Sequence, residues 1–178
     1  MPTEKRKEKM EKLFVLDTSA ILNMFPLQLE PGTQQDIQYI TSHKVLDEVM
    51  EGRERTYIEA TIEQGQLEIH SPSKKSIEKI KMAARRTGDL EKLSEADIDV
   101  LALALGFKSE SKKNVDIITD DYAIQNVADY LGIKVQPIAF PKIRKQIRWK
   151  KKCPNCGKKY KLEEYECPIC CTDLIRCK

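Results

Sequence analysis

Residues Asn114 to Ala128 read NVDIITDDYAIQNVA: an apolar run, Val115 to Thr119, then two adjacent aspartates, Asp120 and Asp121, then a segment of helical period. Val, Ile and Thr favour a strand, and Ala123, Val127 and Leu131 recur at the spacing of one helix face. A buried carboxylate next to another is costly unless something positive favours both. A strand that ends on two acids and turns into a helix therefore suggests a bound cation at the carboxyl edge of a sheet.

Working outward, strand-length runs occur at Leu13 to Leu16, Ile37 to Thr41, Leu67 to Ile69 and around Lys134 to Ile138. Helical faces lie between them: Val45, Val49 and Met50; Ile58 and Ile62; Ile77, Ile80 and Met82 to Ala84; and Ile98 to Leu105, apolar nearly all round. Strands alternating with helices predict an α/β fold with a central parallel sheet covered by helices. Gly88 suits the end of one helix, and Ser94 suits the N-cap of the next, with Asp97 three residues on.

In open α/β sheets, ligands gather beyond the carboxyl ends of the strands. Asp17 follows the strand KLFVL, Asp120 and Asp121 follow VDIIT, Asp97 falls in a first helical turn, and Glu48 lies on a short helix after QYIT. Each acid has a plainer role open to it. Asp17 can cap a helix, Asp97 can answer a helix dipole, and Glu48 can be solvated. Convergence on one edge instead suggests an oxygen-rich site for Mg²⁺ or Mn²⁺, ions that neutralise clustered carboxylates and activate water against a phosphodiester. The hydroxyls of Thr18, Ser19 and Thr119 can either orient those carboxylates or bond only to backbone. His43 and His70, the two histidines, read as ordinary surface residues, and neither a Ser-His-Asp triad nor a glycine-rich phosphate loop is present.

Charge divides the chain. Residues 142–178 hold twelve Lys or Arg against four acids, a net +8, while the rest, with nineteen against twenty-four, is −5. A basic tail on an acidic body suggests that the tail meets a polyanion. All six cysteines lie in that tail, and Cys153-Pro-Asn-Cys156 with Cys167-Pro-Ile-Cys170 forms two CxxC knuckles suited to one structural Zn²⁺. Cys171 and Cys177 are surplus thiols. Such a short segment cannot hold a hydrophobic core, so its folding should depend on the metal. Arg144, Lys145, Arg148, Lys150, Lys151, Lys152, Lys158 and Lys159 with Trp149 are the candidate contacts to such a polyanion. Tyr160 is a further stacking candidate, and Tyr165, beside Cys167, is expected to pack. The expected limits are a nuclease-like body over 12–140, a basic linker over 141–149 and a zinc ribbon over 150–178. No apolar stretch is long enough to span a bilayer and no leader is evident, which suggests a cytoplasmic protein without a membrane partner.

The segments LDTSA (Asp17), VLDEV (Glu48), LSEADIDVLALAL (Asp97) and TDDYAIQNVA (Asp121) resemble, in order, the acidic motifs of PIN domains, three-layer metal-dependent ribonucleases. In that family the last motif is Thr, any residue, Asp, which selects Asp121 over Asp120 and leaves Asp120 as an additional ligand candidate. RTGDLEKLSEAD together with RWKKKCPNCGKKY and ECPIC resembles the Nin-one-binding (Nob) endonucleases in their archaeal form. The resemblance implies Asp17, Glu48, Asp97 and Asp121 as catalytic metal ligands and a 5′-phosphate and 3′-hydroxyl as products. It also implies cleavage of precursor 16S rRNA at its mature 3′ end on the pre-small ribosomal subunit, with assembly factors as partners. Where that family has Cys-Gly, this chain has Cys170-Cys171. The competing expectations are a VapC-like toxin ribonuclease, which usually lacks a ribbon, and an rRNA-binding assembly factor without activity.

Overall fold

The computed structural model describes residues 12–23, 37–50, 55–110, 114–139 and 149–177. Strands β1 (Lys12–Leu16), β2 (Ile37–Ser42), β3 (Glu68–His70), β4 (Asn114–Ile118) and β5 (Lys134–Gln136) form one parallel sheet in the order β3-β2-β1-β4-β5. The two central strands are buried along all but their first residue, because helices cover both faces of a parallel sheet. Their sequences LFVL and VDII are accordingly near-continuous rather than alternating. Strand ends differ from the sequence expectation by one or two residues.

Helices α1 (Thr18–Leu22), α2 (His43–Met50), α3 (Arg55–Glu63), α4 (Lys74–Thr87), α5 (Glu95–Glu110) and α6 (Tyr122–Tyr130) complete the body, with a 3₁₀ turn at Leu90–Lys92. Helix α5 packs on β1, β2 and β4, and α4 packs outside it against α5 and α6. That double contact explains why Val100 to Ala104 are all buried. Ser73 caps α4 by accepting the Ser76 N–H at 3.1 Å, and Gly88 ends it in the left-handed conformation at φ 81°. Met82, expected on the apolar face of α4, is 54% exposed while Ala83 and Ala84 are buried. Consecutive helical residues turn about 100° apart, so three in a row cannot share one face.

Strands β6 (Lys150–Lys152), β7 (Lys159–Tyr160) and β8 (Ile175–Cys177) form an antiparallel sheet in the order β7-β6-β8. Two matching knuckles hang from it. Cys153 N–H donates to Lys158 O and Gly157 N–H to Cys153 O, both at 2.9 Å; Cys167 N–H donates to Thr172 O at 2.9 Å and Cys171 N–H to Cys167 O at 2.8 Å. Gly157 has φ 74°, and Cys171, its counterpart, has φ 49°. Cys171 thus sits where glycine is favoured, at a cost of roughly 1–2 kcal/mol.

The small sheet docks on the end of α4. Trp149 donates its indole N–H to Asp89 at 2.7 Å, and the other Asp89 oxygen accepts from Asn126 Nδ2 at 2.6 Å. Arg176 donates to Gly88 O, and its guanidinium lies 3.6 Å from the Asp89 carboxylate. Asp89 is 2% exposed, so these donors satisfy an acid that would otherwise be costly to bury. Residues 140–148, which hold the expected boundary together with Arg144, Lys145 and Arg148, lie outside the described residues. Among the described residues no helix is long and apolar enough to cross a membrane.

Candidate active site

The sheet order contains one change of direction. After β1 the chain moves out through β2 to β3, then returns to the opposite side of β1 for β4 and β5. In such sheets the crevice beyond the carboxyl ends of the strands flanking the reversal is where ligands bind. Asp17 leaves β1 there, and Asp120 and Asp121 leave β4.

Asp17 is 4% exposed, and its N–H donates to Ile118 O at 3.2 Å, which fixes it to the end of the central strand pair. One carboxylate oxygen accepts the Thr18 N–H at 2.6 Å; the other accepts the hydroxyls of Thr119 at 2.7 Å and Ser19 at 3.0 Å. Those hydroxyls accept in turn from the backbone of the other strand end, Thr119 from Asp121 N–H at 3.0 Å and Ser19 from Asp120 N–H at 3.4 Å. Two oriented hydroxyl dipoles therefore join the turn after β4 to the carboxylate after β1. Thr18 donates its own hydroxyl to Glu48 Oε2 at 2.6 Å, which brings α2 to the same edge. All three hydroxyls in question orient carboxylates.

Asp97 enters through a reciprocal cap. Ser94 Oγ accepts the Asp97 N–H at 3.1 Å, and Asp97 Oδ2 accepts the Ser94 N–H at 2.7 Å. Burial raises the pKa of Asp97 above the ordinary carboxylate value, and the charges of Asp17 and Asp121 add to the rise. Burial likewise raises Asp17, opposed by its hydrogen bonds from Thr119, Ser19 and Thr18 and reinforced by Asp121. Asp17, Asp97 and Asp121 therefore sense one another as like charges.

The adjacent aspartates have separate duties. Asp121 caps α6, its Oδ1 accepting the N–H groups of Ala123 at 2.6 Å and Ile124 at 3.0 Å. Asp120 turns to the chain after β5 and accepts from Ile138 N–H at 2.8 Å and Ala139 N–H at 3.2 Å. Both Asp120 oxygens accept from that loop. Glu48, Asp97 and Asp121 each keep one carboxylate oxygen with no hydrogen bond among the described residues. Such a donor set, all oxygen and mutually repelling, fits a hard divalent cation.

The sulfurs of Cys153, Cys156, Cys167 and Cys170 all lie within 4.8 Å of one another. Cys156 Sγ and Cys167 Sγ are 3.7 Å apart, close to the edge of about 3.8 Å for a tetrahedron of thiolates around zinc and far beyond a disulfide. Tyr160 OH lies 3.2 Å from Cys167 Sγ, which commits this stacking candidate to steadying a ligand sulfur. Trp149 is committed too: its N–H is held by Asp89, and Lys92 and Arg176 lie 4.3 and 4.4 Å from its ring centroid. Tyr165 departs from expectation the other way. It is 75% exposed, with Lys151 Nζ 3.7 Å from its ring centroid. Lys150, Lys152, Lys158 and Lys159 are exposed, as a phosphate contact requires.

Sequence reading missed Lys44, whose ammonium bridges Glu95 at 2.8 Å and Asp99 at 3.6 Å and so ties the helix of Glu48 to that of Asp97. It missed Asp89 and Asn126 as well. Only the tertiary pairing distinguishes them from surface polar residues, although Asp89 directly follows a helix-ending glycine.

Residues 14–107 match the family model described as the PIN domain of ribonuclease. Endoribonuclease Nob1 of Pyrococcus abyssi is 41% identical over 126 residues, covering 71% of this chain and 74% of that protein. Endoribonuclease Nob1 of Archaeoglobus fulgidus is 37% identical over 172 residues, 94% of this chain and 92% of that protein. Ribonuclease VapC1 of Thermoplasma acidophilum is 35% identical over 164 residues, 92% of this chain and 77% of that protein. A match of that length reaches into the cysteine-bearing tail, so the tail does not by itself separate the two names.

Proposed function

The chain belongs to the PIN-domain ribonucleases, and within them to the Nob1 endoribonucleases, and from that premise we propose that it cleaves precursor 16S rRNA at its mature 3′ end during ribosome biogenesis. The observation that carries this reading is the convergence of Asp17, Glu48, Asp97 and Asp121 on the chain-reversal crevice of a body to which a basic, cysteine-bearing module is docked.

Asp17, Glu48, Asp97 and Asp121 would hold Mg²⁺ or Mn²⁺, and Cys153, Cys156, Cys167 and Cys170 would hold Zn²⁺. The divalent ion, when bound, supplies charge neutralisation at the scissile phosphate and a more acidic water. Asp17 is the fixed point of the site, because three donors set its rotamer. Thr119 and Ser19 hold the β4 turn against it, and Thr18 holds Glu48. Hydrolysis forms a bond from water oxygen to phosphorus as the bond to the 3′ oxygen breaks, leaving a 5′-phosphate and a 3′-hydroxyl. The body carries excess negative charge and repels RNA, so affinity falls to the basic tail, and the pre-small subunit supplies the single-stranded junction.

The test is cleavage of an RNA spanning the 3′ end of small-subunit rRNA and its downstream spacer, with and without added Mn²⁺. Omission of Mn²⁺ is preferable to a chelator, which would also strip the cysteines. A single Mn²⁺-dependent cut at the mature end is expected, reduced more than about 100-fold by Asp17→Asn. Scattered cuts in unrelated RNAs would favour the VapC-like reading, to which the Thermoplasma relative lends weight. Binding without cutting in any metal would favour an assembly factor.

A further inference from the structure

Between the last turn of α4 and the small sheet lies a cleft of about 620 Å³. Arg85 and Arg86 line it from the body, and Lys150, Lys159 and Lys161 line it from the ribbon. Glu163 and Glu164 also line it, so five cationic side chains face two carboxylates. All five cations are exposed.

We infer that this cleft is a groove for the phosphate backbone of single-stranded RNA, gripped by both modules at once. The proposal rests on the ribonuclease reading above, since RNA is the polyanion such a chain meets. The plainer role of Arg85 and Arg86 is to answer the carboxyl end of the α4 dipole. That role does not require three lysines from another module on the same cleft. Facing basic walls repel one another, yet the Asp89, Trp149 and Arg176 contacts hold them together. A polyanion between the walls turns that repulsion into attraction. Arg86 donates to Tyr130 OH at 3.2 Å, which orients its guanidinium while leaving further N–H donors for a phosphate. The volume suits a few nucleotides of one strand, whereas a duplex is too wide to enter. Sequence reading placed the RNA contacts in the tail alone; the structure adds Arg85 and Arg86.

The experiment measures fluorescence anisotropy of a labelled single-stranded RNA of about 12 nucleotides with the zinc-loaded full chain and no added Mg²⁺ or Mn²⁺. Salt is varied between about 50 and 200 mM. Arg85→Ala with Arg86→Ala should weaken binding about tenfold and reduce the slope of log K against log salt by about 1.4, two single-strand contacts. Lys75→Ala with Lys79→Ala removes the same charge from exposed positions earlier on α4 and should leave binding within about twofold of wild type. Arg85→Lys with Arg86→Lys, which keeps charge and fold, should recover most of the affinity.

Wild-type binding by the Arg85/Arg86 alanine variant, with its slope unchanged, would overturn the proposal. So would an equal loss in the Lys75/Lys79 variant, because it would mean a diffuse field. A duplex of the same length that bound as tightly, with the same loss on alanine substitution, would overturn the single-strand assignment. The two readings fail separately. A chain that binds through Arg85 and Arg86 but never cuts keeps the groove and loses the nuclease; one that cuts the rRNA junction regardless of both arginines does the reverse.

Discussion

In the body, Leu13, Leu16, Ile40, Leu101, Ile117 and Ile124 are fully buried, whereas the small module buries only Cys153 and Cys167 among its described residues. Each buried aliphatic side chain contributes roughly 1.5–3 kcal/mol, so the body folds on its own core. The ribbon has nothing comparable, and the free energy of ion binding is its folding free energy. Metal would therefore play opposite parts in one chain. At the cysteines it would hold the structure up, and at the carboxylates it would relieve the repulsion among the acids.

The largest test of that contrast is Cys153→Ser with Cys156→Ser. Loss of an ion worth roughly 10–16 kcal/mol to such a site should unfold the ribbon and leave the body's melting transition in place. Trp149, the single tryptophan, reports this directly: its fluorescence should shift to the red while far-ultraviolet circular dichroism keeps the helical signal. Loss of both modules together would break the comparison.

Gly88→Ala probes the joint. A Cβ there would collide with Leu162 Cδ1 and stand 3.0 Å from Trp149 Cβ, at a backbone angle that alanine tolerates poorly. A loss of about 2 kcal/mol and the same tryptophan shift, with zinc content unchanged, is the expected result. Cys171→Gly acts within the ribbon alone. Relief of the left-handed conformation should stabilise it by roughly 1–2 kcal/mol, seen as slower zinc release to a chelator.

The smallest effect concerns the acids. Because burial raises Asp17 and Asp97, the folded body holds their protons to higher pH than the unfolded chain does. The stability gained from protonation is complete below the ordinary carboxylate pKa and disappears as pH rises through the raised values. Without divalent ions the body should therefore melt at higher temperature as pH falls toward the ordinary carboxylate range, and Mn²⁺ should flatten that slope. Asp121→Asn keeps a good N-cap and removes one repelling charge, so it should raise the metal-free melting temperature slightly while abolishing cleavage. A metal-free melting temperature lowered by Asp121→Asn would show that repulsion is not what the site sustains.

The strands were legible because a parallel sheet buried on both faces writes itself as unbroken apolar runs; Asp17, Asp120 and Asp121 were legible because they follow such runs and Asp97 because it opens a helix, whereas Glu48 sits inside α2. Asp120 and Asp121 could not be told apart from periodicity, since the difference lies in the partner each carboxylate finds, α6 for one and the loop after β5 for the other. Trp149 and Tyr165 exchanged expectations for a similar reason. An aromatic among lysines looks the same whether its N–H has a buried acid to meet or its ring lies open. Asp89 became visible only when Asn126, Trp149 and Arg176, distant in sequence, arrived around it.

The hydroxyl of Thr119 on the carboxylate of Asp17 spans 102 positions of chain. During synthesis, β1 emerges early and waits with one edge bare until β4 is made. No shorter nascent chain can assemble the four acids, because the turn that orients Asp17 has not yet been translated. The candidate site can therefore close only once the chain has been made as far as Asp121.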